Sequence, residues 1–125
     1  MAQITRAEPE LRVVWLNAIS PSMFAGEEWA LHFSRFDAKE LKEFIENLLA
    51  EGATIVSYIR HPATVKVLRE HFGDLMPETP DSGVYTYRSG DILVIVTLRK
   101  PQRGAEVQQV KIEDLDFVVA EWMAP

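Results

Sequence analysis

The chain contains no cysteine. That one absence removes disulfide frameworks, thiolate zinc sites and cysteine nucleophiles together. Positive charge is also scarce: 13 lysines and arginines stand against 19 aspartates and glutamates, a formal net charge of -6. Long-range steering then repels a nucleic-acid duplex or an anionic membrane, so neither is expected as a partner, and a phosphate ligand has to be held by a local site. No apolar run approaches the roughly 20 residues that span a bilayer. The nearest, from Ile92 to Arg99, is eight residues long and reads as a buried strand. The opening residues MAQITRAEPE lack the basic patch and apolar stretch of a secretory signal, which predicts a protein of the cytoplasm. His32, His61 and His71 do not fall at the helical metal-pair spacing, no carboxylate cluster accompanies them, and no Gly-x-Ser-x-Gly elbow occurs. The sequence thus points to no metal site, no serine triad and no cofactor.

What is present is ordinary globular composition: 125 residues, 47% hydrophobic and 26% charged, enough for one domain with a real core. Residues 1 to 10 read as a loose leader and residues 11 to 125 as the domain. Leu11 to Leu16 reads as a mostly apolar strand, followed by a loop or short helix through Asn17–Phe24. A second strand starts at Trp29, with Trp29, Leu31 and Phe33 on one side. Asp37 and Glu40 resemble a capping box, and Leu41, Phe44, Ile45, Leu48 and Leu49 repeat at helical spacing until Gly52. The β-rich run Ala53 to Ile59 passes into Arg60-His61-Pro62, where proline fits the first position of a helix ending at Gly73. Val84 to Arg88 and Asp91 to Arg99 read as a hairpin turning at Ser89-Gly90. Glu106 to Lys111 reads as an extension of a ribbon, and Asp116 to Trp122 as the last strand. Helices fall between strands in the first half and hairpins dominate the second, so the expected fold is α/β, a mixed sheet flanked by helices.

The junction at residues 53 to 64 is where chemistry is most readily placed. A strand running into a helix N-terminus presents free N–H groups and a positive dipole end, a ready site for phosphate. Arg60 and His61 stand at that mouth, with the Thr64 hydroxyl one turn in. On the residues alone, the plainer reading is that His61 caps the helix and Arg60 is a solvated charge. A second basic feature, Arg99-Lys100-Pro101-Gln102-Arg103, follows a buried strand, and Glu106 is spaced to orient the Arg103 guanidinium by a bidentate pair. It reads equally as a solvated turn. The acids Glu40, Glu43, Glu46 and Glu51 lie around a helix and read as its wet face.

Three segments occur in a fixed order: Leu16-Asn17-Ala18-Ile19-Ser20-x-x-Met23, His61-x-x-Thr64 opening a helix, and Gly90-Asp91 with an apolar strand leading to Arg103-x-x-Glu106. That arrangement resembles the viral and bacterial ring nuclease family that includes anti-CRISPR proteins of type III systems. The resemblance spans roughly residues 11 to 122. It implies a mixed, about five-stranded sheet flanked by helices, and a homodimer that holds cyclic tetra-adenylate across its two-fold axis. It also implies that His61 is the catalytic histidine, with Glu106 in the catalytic set, and that Asn17, Ser20, Thr64 and Arg103 line the pocket. Arg60 and Thr97 stand where the family often has glycine and glutamine, and both are expected among the substrate contacts. Ala63 replaces a common serine, and an expected arginine has no match near Ser82. The implied setting is the cytoplasm of a prokaryotic cell or of a virus-infected prokaryotic host. The alternative is a non-catalytic module that binds a nucleotide or a protein.

Overall fold

Two stretches of this chain are apolar at successive rather than alternate positions, and strands of that kind are stable only when both faces are covered. They are Arg12–Leu16 (β1) and Asp91–Leu98 (β4), and in the computed structural model they lie side by side at the centre of a five-stranded sheet. The structure describes residues 11–26, 29–79, 84–98 and 111–122. The other elements are Leu31–Phe36 (β2), the helix Ala38–Ala50 (α1), Thr54–Ser57 (β3), the helix Pro62–Phe72 (α2) and Leu115–Trp122 (β5), with single 3-10 turns at Pro21–Met23, Gly73–Leu75 and Ile112–Asp114.

The strand order is β2-β5-β4-β1-β3. β3 and β4 pair parallel with β1, through Val13 to Ile55 on one side and Val13 to Ile92 on the other. β5 runs antiparallel to both β4 and β2, pairing Val118 with Ile95 and with Arg35. The expected mixed sheet in a single small α/β domain is therefore the observed architecture.

Both helices pack on one face of the sheet. Leu41 and Ile45 of α1 and Val67, Leu68 and Phe72 of α2 close over Val13, Trp15, Val94, Val96, Phe117 and Val119. Trp15 is anchored at both ends: its ring meets Phe72 edge-on at 5.2 Å, and its indole N–H donates to the Leu75 carbonyl at 2.9 Å. α1 begins where the sequence predicts, because Asp37 accepts from the Glu40 N–H at 2.7 Å and the Glu40 carboxylate accepts from the Asp37 N–H at 3.3 Å, a complete capping box. It stops at Gly52, whose φ of +98° is the left-handed conformation that suits glycine after a helix.

The opposite face carries no helix among the described residues. Phe24, Tyr85 and Tyr87 from loops cover Val14, Leu16, Leu93 and Ile95 there. Phe33, expected on the same side as Leu31, lies with it on this face, 50% exposed. The hairpin expected over Val84–Arg88 and Asp91–Arg99 does not form: residues 84–88 have no ladder, because β4 already has β1 and β5 as neighbours and offers no free edge. Ser89-Gly90 is a turn, but it leads from a loop into β4, with the Asp91 N–H bonded to the Arg88 carbonyl at 3.0 Å. The leader and residues 99–110, with all of the expected ribbon except Lys111, lie outside the described residues. No helix among the described residues is long and apolar enough to cross a membrane.

Candidate functional site

The parallel strands β1, β3 and β4 point their carboxyl ends the same way, so whatever follows each of them meets at one end of the sheet. In open α/β sheets that end is where ligands bind. Asn17 follows β1, His61 follows β3, and Thr97 is the penultimate residue of β4. These three and Thr64 line one cleft of about 280 Å³, completed by Val96, Leu98 and Leu115. Four of the residues singled out from the sequence are thus brought together.

His61 is the N-cap of α2, and Pro62 is its first residue. Its Nδ1 accepts the Thr64 backbone N–H at 3.4 Å and lies 3.2 Å from Thr64 Oγ1. In a neutral ring that accepts at Nδ1, the proton sits on Nε2. Nε2 is then the nitrogen offered to a ligand. If the ring takes a second proton, Nδ1 becomes a donor and can turn to the Thr64 hydroxyl, so the threonine satisfies both charge states. Thr64 is buried and His61 exposed, which places the partner in the wall and the imidazole at the surface.

The turn that carries His61 is held from behind. Ser57 is fully buried, and its hydroxyl accepts the Ile59 N–H at 3.2 Å. The Thr79 hydroxyl lies 3.4 Å from Ser57 Oγ and donates to the Ile59 carbonyl. The Tyr58 N–H continues the β1 ladder to the Trp15 carbonyl at 2.9 Å. A strand end bonded on both sides fixes the backbone two residues before the imidazole, which is what a pre-organised site requires.

The remaining expected contacts are elsewhere. Ser20 opens the 3-10 turn at Pro21–Met23, its hydroxyl 3.0 Å from Ser22 Oγ, and does not line the cleft. Arg60 lines a separate groove with Pro62 and Val65. Arg103 and Glu106 lie outside the described residues. Gly90-Asp91, part of the resembling pattern, falls at the other end of β4, roughly 20 Å from Thr97 along the strand. There Asp91 is 3% exposed and accepts from Arg12 Nε at 2.8 Å, Arg12 Nη2 at 2.7 Å, Tyr85 Oη at 2.6 Å and the Arg88 N–H at 3.1 Å. The hydrogen bond from Arg12 to this carboxylate raises the guanidinium pKa further, and burial with the Asp91 bond pushes the Tyr85 hydroxyl well above the phenol range. Nothing in sequence spacing signals a pair 79 residues apart. No group of three or more His, Asp or Glu side chains suited to a metal occurs among the described residues.

The fold and cleft define the class: a small α/β domain whose polar cleft opens at the carboxyl ends of parallel central strands. The same fold is found in a viral protein. The chain is similar to B116 of Sulfolobus turreted icosahedral virus (STIV), with a TM-score of 0.64 and 18% sequence identity over 87% of this chain and 97% of that one. At that identity the likeness shows the fold alone. No protein-family model and no curated protein matches the chain.

Proposed function

We propose that the protein is a metal-independent ring nuclease that binds cyclic tetra-adenylate, a second messenger of type III CRISPR defence, and cuts it to linear di-adenylates ending in a 2′,3′-cyclic phosphate, so switching off or antagonising the signal. The observation that carries this reading is the single imidazole at the α2 N-cap, with Nδ1 tied to Thr64 and Nε2 left for a ligand, in a cleft shared with Asn17 and Thr97. In RNA the 2′-hydroxyl is a built-in nucleophile: its oxygen attacks the neighbouring phosphorus, the bond from phosphorus to the 5′-oxygen breaks, and the 2′ proton leaves to solvent. The protein needs only to align the ribose, stabilise the crowded phosphate and protonate the departing 5′-oxygen. His61, once it has taken a second proton from solvent, is the proton donor and returns to the neutral ring as the 5′-oxygen is protonated, while Asn17, Thr64 and Thr97 supply hydrogen bonds around it. Arg103 keeps the pocket-lining role and Glu106 the place in the catalytic set that the resemblance implies, Arg103 stabilising the charge on the phosphate and Glu106 spaced to orient its guanidinium.

Size argues for two copies. About 280 Å³ lies below the range of pockets that enclose a drug-sized molecule, so one cleft accepts a phosphate with part of its nucleotide, not a four-nucleotide ring. Two clefts related by a two-fold axis would present an imidazole to each of two equivalent phosphates. A homodimer in the cytoplasm of a prokaryote or an infected prokaryotic host belongs to this reading, and the fold shared with a viral protein is in keeping with it.

The test is incubation of pure protein with cyclic tetra-adenylate in excess chelator and separation of the products. Di-adenylates with cyclic phosphate ends are expected, and His61→Ala should slow their formation by about 10² to 10⁴-fold while still binding the ring. An intact ring, or unaltered cleavage by His61→Ala, would overturn the proposal. Binding without cleavage by the wild type would instead mark a sequestering module.

A further inference from the structure

The two edges of the sheet are finished differently. At one, β3 is only four residues long, and the Thr79 hydroxyl reaches Ser57 and the Ile59 carbonyl where that strand ends. The other edge is β2, six residues long, which pairs with β5 on one side and meets no further strand among the described residues. The outer N–H and C=O groups of such a strand are a template for another chain, and proteins blunt them with proline, lysine, a bulge or a very short strand. β2 has no proline and no lysine, and its ladder with β5 runs from Leu31 on Trp122 to Phe36 on Phe117 without a skipped residue, so it has no bulge. Its one permanent charge, Arg35, leans back to Asp116 of its own sheet at 3.8 Å.

Apolar surface collects at this same edge. Of the large hydrophobic side chains exposed among the described residues, Phe33 lies in β2, Trp29 just before it and Trp122 opposite Leu31 on β5; the other, Val84, is in a loop. Phe33 faces Ala120, which is too small to cover it, and stays 50% exposed. The strand also fits itself. Directly paired residues of an antiparallel ladder share a sheet face, so two copies related by a two-fold axis must set one residue opposite its own copy. Phe33 and Ser34 are the central choices. With Phe33 on the axis, Phe33 meets Phe33, His32 meets Ser34, and Leu31 meets the apolar stem of Arg35. The two Arg35 positions then lie about 14 Å apart along the strands, beyond the screening length at physiological salt. With Ser34 on the axis, Leu31 would face the Asp37 carboxylate, and the arginines would stand half as far apart. Charge and apolar matching both select Phe33.

We propose that β2 is an interface between two copies of this chain, which pair antiparallel with Phe33 on the two-fold axis and join two five-stranded sheets into one. β2 runs parallel to β4, so this pairing turns the two clefts to opposite ends of the joined sheet. The contact is therefore separate from one in which two clefts share a ring, and it stands without any cleavage at His61. Sedimentation equilibrium of the full chain without nucleotide tests it, and a chain that lacks cysteine makes single-cysteine variants clean reporters. The wild type should self-associate. Phe33→Lys sets two like charges opposite each other at an exposed position and should weaken that association by at least about tenfold with an unchanged melting curve. On mild oxidation Phe33→Cys should form an interchain disulfide, because facing residues of an antiparallel pair have Cα atoms about 4.5–5.5 Å apart. Arg35→Cys, about 14 Å from its own copy in this register, should not. A wild type that stays monomeric would overturn the proposal and leave the edge to a foreign strand. Association untouched by Phe33→Lys, or a disulfide that forms through Arg35→Cys as readily as through Phe33→Cys, would overturn it as well.

Discussion

Replacing Asp91 by asparagine should destabilise the protein by about 3 kcal/mol, although the new side chain has the same shape. Oδ2 of Asp91 takes three donors, from Arg12, Tyr85 and the Arg88 backbone, and Oδ1 takes one, from Arg12 Nε. An asparagine must set its NH2 group against one of these two sets. In the less damaging orientation it faces only Arg12 Nε, but the guanidinium, whose side chain is 11% exposed, has then lost its counter-charge. Removing one partner of a buried pair typically costs 3–5 kcal/mol, and the remaining exposure of Arg12 places this case at the lower end. Against a total stability of about 5–15 kcal/mol that is a large share, equivalent to a fall in melting temperature of about 10 °C or more. Urea unfolding followed by circular dichroism measures it. A change under about 1 kcal/mol would refute the reasoning, because no buried counter-charge would then have been at stake. The companion triple variant Arg12→Met, Asp91→Leu, Tyr85→Phe removes both charges and the hydroxyl, and should cost less than the single asparagine.

Tyr85 gives the alkaline side of the same network. A pKa raised on folding supplies stability that is whole below about pH 10 and is lost as the pH climbs beyond it, so the wild type should lose melting temperature above pH 10 more steeply than Tyr85→Phe. Asp37 gives the acid side: the Glu40 backbone N–H holds its carboxyl below the usual range, so the cap contributes above about pH 4 and is lost below. The difference in melting temperature between wild type and Asp37→Ala should therefore narrow as the pH falls from about 5 to 3; a constant difference would contradict the assignment. Thr64→Val leaves the backbone N–H for the neutral ring but deletes the hydroxyl that accepts from Nδ1 of the doubly protonated ring, so the proposed cleavage of cyclic tetra-adenylate should slow about five- to tenfold with the ring still bound. An unchanged rate would show that the hydroxyl does not serve the imidazole.

Local signals fixed most of the elements, and long-range pairing produced the surprises. Asp37 with Glu40, Pro62 after His61, and the glycines at 52 and 73 mark helix ends through chemistry that operates within four residues, and the structure bounds α1 and α2 by them. The stretch Val84-Tyr85-Thr86-Tyr87-Arg88 has the alternation of a strand followed by a turn dipeptide, yet alternation reports only that every second residue is covered. Here Tyr85 and Tyr87 are covered by packing onto the sheet face, and the Tyr87 N–H donates to the Met23 carbonyl at 2.7 Å. Whether a strand forms depends on a free edge, and the order of β1, β4 and β5 is information no short window contains. For the same reason Asn17, His61, Thr64 and Thr97 could be named singly, but their meeting depends on parallel pairing of β1 with both β3 and β4. Asp91 carries the converse lesson: within a motif that resembled a functional one, it is committed to an ion pair.

The two ends of the central strands therefore do different work. At the amino ends of β1 and β4, Arg12 and Asp91 face each other in register; at the carboxyl ends, Asn17 and Thr97 border the cleft. The apolar stretch between them, Val13 to Leu16 against Ile92 to Val96, is buried on both faces and close-packed. Such packing resists gradual deformation, so damage at Arg12 or Asp91 should lower the temperature at which the sheet melts without reshaping the cleft below it. If the proposed cleavage of cyclic tetra-adenylate is the activity, Asp91→Asn should accordingly retain the wild-type rate, within about threefold, at any temperature well below its own transition. A large loss of cleavage in a fully folded Asp91→Asn protein would mean that the strand couples its two ends, and the separation argued here between a stability end and a ligand end would fail.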